Sequence, residues 1–244
     1  MAPLINAADV VRKGSAGVDK VFAGTVQVWP AASSAPTYGG KGGTWSAGGE
    51  TLTITPPEGA ASGDLVILVA SSDTSASWTP VVSGFTAALT SFAAGNMRTH
   101  VLTKVWTSGN IVITSSPSAS AVAYWWRGAS GVANVGSPAV RSSSSTSITA
   151  PSITTTTART VLALFGDRSV AASSGEADTA LTVTWGTVLD NYQGNTTLSS
   201  GLGIAGHWLV ALRQSVAGVT GVNTATMVDA SGNGWGLQLA LVDA

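Results

Sequence analysis

The sequence predicts an all-β protein: an antiparallel, jelly-roll-like β-sandwich preceded by a short N-terminal arm and a β-hairpin. Short segments rich in Val, Thr, Ile and Trp recur along the chain, and turns rich in Gly, Ser and Pro separate them. No stretch after residue 30 has the periodicity of an amphipathic helix. Short strands at this spacing are typical of sandwiches and jelly rolls.

Two segments of the main domain, residues 44–244, predict particular strands. In "LTVTW" (181–185) the apolar side chains alternate with Thr, so we expect Leu, Val and Trp to face inward. "DLVILVA" (64–70) is apolar after its Asp, which predicts a central strand covered on both faces. No internal repeat of fixed period is evident. The candidate strands cover residues 51–55, 64–70, 84–89, 98–106, 110–114, 120–126, 146–150, 159–165, 181–189, 207–213, 223–229 and 235–242.

Residues 1–30 are predicted to form a separate arm and hairpin. "NAADVVRKG" favours a short helix that ends at Gly14. "VDKVF" and "TVQVW" alternate in polarity around Ala23-Gly24, which predicts a hairpin. A lone hairpin is barely stable, so we expect this element to dock on another surface. Residues 31–43, rich in Pro, Ser and Gly, are predicted to be a linker.

The docking element offers an apolar anchor and a charged rim. Trp29 is the expected anchor, because a buried aromatic ring contributes about 2–3 kcal/mol by area. The charged side chains are expected to fix orientation more than affinity. The candidate interface residues are Arg12, Lys13, Asp19, Lys20, Val26, Val28 and Trp29.

The composition limits the classes of partner. The chain is 44% hydrophobic and only 9% charged, so its surface has little charge to oppose self-association, and we expect a homo-oligomer. A net charge of -1 without a basic cluster argues against nucleic acid. No apolar run is long enough for a membrane helix, and the N-terminus lacks the order of a signal peptide. The absence of cysteine excludes disulfides and thiolate chemistry.

No catalytic or metal motif stands out. The three Glu lie in turn-like contexts, unlike the paired carboxylates of a glycosidase. A serine triad would need His100 or His207 as base, but no G-x-S-x-G motif is present, and His100 is expected to be an exposed strand residue. "DASGNG" (229–234) resembles half of a calcium loop, yet a hairpin turn explains it equally well. We therefore expect no enzyme activity, no cofactor and no metal.

Tryptophan is over-represented, with nine Trp against three Tyr and four Phe. In "YWWRG" the adjacent Trp125 and Trp126 point to opposite faces of a strand, so we expect one to be buried and one exposed. An exposed Trp beside Arg127 suits either an anchor at a protein interface or a platform for a sugar ring.

Several segments resemble structural proteins of tailed phages that infect actinobacteria. "VDKVFAGTVQVWP" is similar to their short N-terminal element, which ends in Val-Trp-Pro. "LTITPPEGAASGDLVILVASSD", "SGFTAAL" and "AVAYWWRGAS" resemble a β-sandwich domain with a Gly-Asp turn before a buried strand and an Arg-Gly strand end. "YWWRG" departs from that pattern by a second Trp.

The resemblance implies an accessory virion protein of the minor tail or capsid-decoration type. Its partners would be other capsid or tail proteins, and it would be made in the host cytoplasm and carried in the virion. A module that binds a host-surface glycan or receptor is the alternative. An enzyme that acts on the cell wall is a third class, for which the sequence gives less support.

Overall fold

The computed structural model describes residues 11–14, 17–23, 26–27, 34–46, 50–72, 78–95, 97–116, 119–143, 145–168, 182–194, 205–231 and 233–244. Contacts divide the chain into two units, Met1–Ser34 and Ala35–Ala244. In the described residues every regular element is a β-strand, which confirms the all-β prediction. No helix in this part of the chain is long and apolar enough to cross a bilayer.

The N-terminal unit contains a three-stranded antiparallel sheet in the order β1-β2-β3. Its strands are β1 (Val11–Gly14), β2 (Gly17–Ala23) and β3 (Val26–Gln27). Ala23 of β2 pairs with Val26 of β3, which confirms the hairpin. The predicted helix is wrong for Val11–Gly14, because this segment pairs with β2. Strand pairing gives its backbone groups partners, whereas so short a helix is marginal in water.

The second unit begins with an eight-stranded sandwich, here called module 1 (residues 37–127). Its large sheet has the order β4-β11-β6-β9-β8 and its small sheet the order β5-β10-β7. Most successive strands alternate between the two sheets, as in a jelly roll. The strands are β4 (Thr37–Ser46), β5 (Glu50–Ile54), β6 (Leu65–Ser72), β7 (Val81–Val82), β8 (Thr86–Ala94), β9 (Met97–Val105), β10 (Ile111–Ser116) and β11 (Ala119–Arg127).

Strand β4 corrects the predicted linker. It pairs with β11 along its whole length, from Thr37 opposite Arg127 to Ser46 opposite Ala119. The linker prediction for 31–43 is therefore wrong from residue 37 onward. Four glycines in "TYGGKGG" give this segment the composition of a linker, but glycine also permits close packing of an edge strand. At Gly42 a side chain would collide with the carbonyl of Thr55.

The remaining strands form a second sandwich, module 2 (residues 129–243). Its large sheet has the order β12-β22-β16-β19-β18, with β13 also on β22, and its small sheet the order β14-β21-β17; β15 and β20 pair separately. The strands are β12 (Ala129–Val135), β13 (Ala139–Arg141), β14 (Ser145–Ala150), β15 (Thr154–Thr155), β16 (Arg159–Arg168), β17 (Thr182–Val183), β18 (Thr187–Gly194), β19 (Ala205–Gln214), β20 (Gly218–Val219), β21 (Asn223–Ser231) and β22 (Asn233–Asp243).

Module 2 repeats the strand plan of module 1. The interrupted edge formed by β12 and β13 takes the place of β4, and β14, β16, β17, β18, β19, β21 and β22 take the places of β5 to β11 in order. The registers also correspond, since Ile67 pairs with Tyr124 in one module and Leu162 with Leu239 in the other. Gly128 alone separates β11 from β12, with a φ of 72° that favours glycine.

The two large sheets share one hydrophobic core, to which both modules contribute. Trp126 of module 1 and Trp235 of module 2 lie in this core, and the Trp235 indole occupies the space that a side chain at Gly166 would need. The opposite face of each large sheet is covered by the small sheet of its own module. β6 is buried at every residue, which confirms the central strand predicted at 64–70.

The predicted alternation in "LTVTW" is also confirmed where it is described. Val183 and Trp185 pack against the core of module 2, and Thr182 and Thr184 are exposed. Leu181 lies outside the described residues.

Candidate functional site

The residues predicted for docking lie in the N-terminal unit. The backbone of Arg12 is directly opposite Lys20, and that of Lys13 opposite Val18. Val26 is the first residue of β3, and Asp19 lies within β2. Val28 and Trp29 lie outside the described residues.

Trp125 and Trp126 are both buried, at 0% and 1% exposure, so the expectation that one of them is exposed is wrong. They do point to opposite faces of β11, but β11 is an inner strand of a sheet that is covered on both sides. Trp125 packs under the small sheet of module 1, and Trp126 packs against module 2 and Tyr38. Neither ring offers a face to a sugar.

Arg127 is 57% exposed, but its guanidinium holds a turn of its own module. It donates a 2.6 Å hydrogen bond to the carbonyl of Gly59, and its Nε lies 3.7 Å from Asp64 Oδ1. Asp64 is buried and accepts a 2.9 Å bond from the amide of Ala61. The Gly-Asp turn and the Arg-Gly strand end, two of the motifs of the resemblance, are therefore in contact.

A serine and a histidine meet between the modules. Ser120 Oγ on β11 and His207 Nε2 on β19 lie 3.0 Å apart. Burial lowers the pKa of His207 to about 3, so the ring is neutral at pH 7. Because both side chains are 1% exposed or less, a substrate cannot reach the hydroxyl in this arrangement. The pair joins the two large sheets as a buried hydrogen bond.

His100 is buried at 5% exposure, so the prediction of an exposed strand histidine is wrong. Its Nε2 donates a 2.7 Å hydrogen bond to the carbonyl of Trp78, which lies shortly before β7 in the sequence. Desolvation lowers the pKa of His100; the bond to Trp78 opposes this shift and the charge of Arg98 adds to it.

The sequence "DASGNG" joins two long strands. β21 ends at Ser231 and β22 starts at Asn233, but β21 pairs in the small sheet of module 2 and β22 in its large sheet. The predicted hairpin turn is therefore wrong, because the segment connects two sheets instead of two paired strands. Within the described ranges, no three His, Cys, Asp or Glu side chains are grouped so that they could hold a metal ion.

A row of aromatic and cationic side chains, partly exposed except for the buried His100, follows one face of β9, and the sequence pattern did not predict it. The rings of Trp78 and His100 meet edge to face, with centroids 5.6 Å apart. The Lys104 ammonium lies 5.7 Å from the centroid of Phe85 and donates to the carbonyl of Ser83. Trp78 lies outside the candidate strands, and Phe85 lies in the candidate strand at 84–89, so only their aromatic character could have linked them to this row.

Trp106 closes the row just after β9. Its Nε1 donates a 3.1 Å bond to the carbonyl of Gly109, and its ring meets that of Trp125 edge to face at 6.3 Å. Alternation along β9 places residues 100, 102, 104 and 106 on one face, over about 20 Å at the rise of a strand.

Comparisons of the chain with protein-family models, with curated proteins and with solved structures return no significant match.

Proposed function

We propose that this chain is a non-enzymatic accessory structural protein of a tailed-phage virion, attached to the capsid or the tail. The observation that carries the proposal concerns the outward faces of the two small sheets. Among the described residues, the side chains exposed on these faces are uncharged. In module 1 this face exposes Thr51, Thr53, Val81, Val112 and Thr114. In module 2 it exposes Ser147, Thr149, Thr182 and Thr226, with Thr224 partly exposed.

Uncharged faces favour permanent contact with neighbouring proteins. Burying them leaves no unpaired charge behind, and the centres of protein interfaces are depleted in charged residues. The faces belong to different modules, so one chain can contact two neighbours. We therefore include self-association in the proposal, alongside contact with capsid or tail proteins.

The N-terminal unit is the proposed docking element. A sheet of three short strands has little apolar area of its own, so a surface that covers it would stabilise it. Trp29 is the proposed anchor within this element, and the charges of Arg12, Lys13, Asp19 and Lys20 are proposed to orient it.

Cosedimentation with purified virions tests this assignment. The full chain, a truncation that starts at Ala35 and the Trp29→Ala variant would each be mixed with particles from which the protein has been depleted. Ala35 is the suitable start because a truncation at Thr44 would remove most of β4. We expect the truncated chain to keep its β-sheet circular dichroism and lose attachment. Attachment by the truncated chain at the level of the full chain would refute the docking role, and failure of the folded full chain to attach would refute the virion assignment.

A charged substitution on one face tests the neutral contact surfaces. Val112→Lys adds a charge at the centre of the exposed face of module 1, and Ser108→Lys adds the same charge in the turn after β9. We expect the first variant to reduce self-association in light scattering and the second to leave it unchanged. Equal association of both variants with the unmodified chain would exclude this face as a contact.

A glycan-binding module is a second candidate, and the row along β9 is the observation that favours it. Trp78 and Trp106 are partly exposed, and aromatic rings next to hydrogen-bonding side chains suit sugar stacking. Saturable quenching of tryptophan fluorescence by soluble host cell-wall fragments, lost in Trp106→Ala but kept in Trp185→Ala, would favour this candidate. No quenching at all would remove it.

A further inference from the structure

The strands β6 and β16 occupy corresponding places in the two modules, and the charged residues near their starts differ. In module 1 Val66 pairs with Trp125, and in module 2 Val161 pairs with Ala240. The residue two positions before the valine is Asp64 in module 1 and Arg159 in module 2. The residue two positions after the partner of the valine is Arg127 in module 1 and Val242 in module 2. Module 2 therefore has a cation where module 1 has a carboxylate, and an apolar side chain where module 1 has the matching cation.

Arg159 and Arg127 differ in their ionic contacts. Asp64 and Arg127 pair with each other, but Arg159 forms no salt bridge with any residue that the structure describes. Asp243, next to Val242, is bound by Arg213 through two hydrogen bonds of 3.0 and 2.8 Å. Arg159 as a whole residue is only partly exposed.

Arg159 lines a small surface cleft. The cleft has a volume of about 110 Å³, and Ala240 forms part of its wall. The hydroxyl residues Thr154 and Thr156 line it as well. Asn134 fixes one side by donating a 2.8 Å hydrogen bond to the carbonyl of Thr154. The cleft thus combines apolar walls with polar residues and one cationic side chain.

We propose that this cleft binds a small oxyanion, a carboxylate or phosphate group, with Arg159 as its principal donor. The planar guanidinium matches the paired oxygens of such groups, and charge-assisted bonds of this kind are about twice as strong as neutral ones. Thr154 and Thr156 also line the space, and their hydroxyls are the further donors of the proposed site. A cleft of this size holds a few groups the size of water, well short of the roughly 300–1,000 Å³ that enclose a drug-sized ligand.

Titration of the full chain with inorganic phosphate or with acetate, at constant ionic strength in chloride, tests the site. Binding would be followed by calorimetry and by the NMR shift of the Arg159 Nε–H. We expect saturable binding that weakens at least tenfold in Arg159→Gln and is partly recovered in Arg159→Lys. Tighter binding of phosphate would indicate a phosphorylated ligand, and tighter binding of acetate a carboxylate ligand; either outcome supports the oxyanion site.

Two further variants use the difference between the modules. Arg127→Gln removes the paired arginine of module 1 and should leave phosphate and acetate binding unchanged. Val242→Asp gives Arg159 the counter-ion that Arg127 has, and should abolish binding while the chain stays folded by circular dichroism. Shifts that do not saturate, or binding unchanged in folded Arg159→Gln, would overturn the proposal.

Discussion

His207 makes stability depend on pH at the scale of a single residue. Its pKa is lowered from 6.5 to about 3 by burial, so the unfolded chain takes up a proton at a higher pH than the folded chain does. The free energy of unfolding is therefore expected to decrease as the pH falls from about 6.5 toward 3. His207→Gln removes this proton uptake and should flatten the decrease.

Urea denaturation at pH 7, 5.5 and 4 measures this effect. His100 also has a lowered pKa, so part of the slope is expected to remain in His207→Gln. His100→Gln is the matched control for that remaining part. Identical pH dependence in the original chain and in His207→Gln would show that His207 binds its proton at the same pH in the folded and the unfolded chain.

Trp126 is predicted to contribute to stability rather than to ligand binding. Its ring is 1% exposed and packs against Tyr38 in the core that the two modules share. Trp126→Ala should lower the free energy of unfolding by about 3–5 kcal/mol, the range for large aromatic residues in cores. Val219→Ala, at a site that is 66% exposed, is the control and should change it little. A small loss in Trp126→Ala, measured by chemical denaturation, would contradict this packing.

At the scale of elements, the contact between the turn before β6 and the end of β11 is expected to depend more on Asp64 than on Arg127. Asp64 is buried and caps the amide of Ala61, whereas Arg127 is exposed and its ion pair is long, at 3.7 Å. In Arg127→Ala the Asp64 carboxylate keeps the bond from the Ala61 amide and loses a long ion pair, and exposed ion pairs contribute about 0–1 kcal/mol. In Asp64→Ala the Ala61 amide loses its acceptor, which costs about 1–3 kcal/mol where the group is buried. Asp64→Ala should therefore destabilise the chain more than Arg127→Ala does. The reverse order in thermal unfolding would show that Arg127 is the main support of the turn.

The elements that the sequence predicted well are those whose pattern depends on local burial. The continuous apolar run of β6 and the alternation in Val183 and Trp185 each report directly which faces are covered. The sequence pattern did not predict β4, because its glycines allow close packing against residues that are distant in sequence. A glycine-rich composition by itself is typical of a linker. The burial of Trp126 was missed for a related reason, since the second cover of β11 comes from module 2.

Whole-molecule organisation was the least predictable level. The modules share strand order and the spacing of inward positions, but equivalent positions hold different residues, such as Asp64 and Arg159. Connections of different length, including the added β15 and β20 in module 2, remove any fixed period. The two modules therefore repeat a strand topology and not a sequence. This repeat can be recognised only when the strand pairings are known.

The repeat predicts that the protein can be divided and reassembled. Gly128 is the single residue between β11 and β12, and the core between the large sheets is built from both modules. Fragments 35–128 and 129–244, produced separately, should each expose that apolar face and self-associate. Produced together, they should form a one-to-one complex, because burial of the shared apolar surface contributes about 25 cal/mol per Å². This contribution does not require a covalent bond between the two fragments. Size-exclusion chromatography with light scattering distinguishes these outcomes. Two soluble, monomeric fragments that do not bind each other would show that each module folds alone and that the shared core does not hold the modules together.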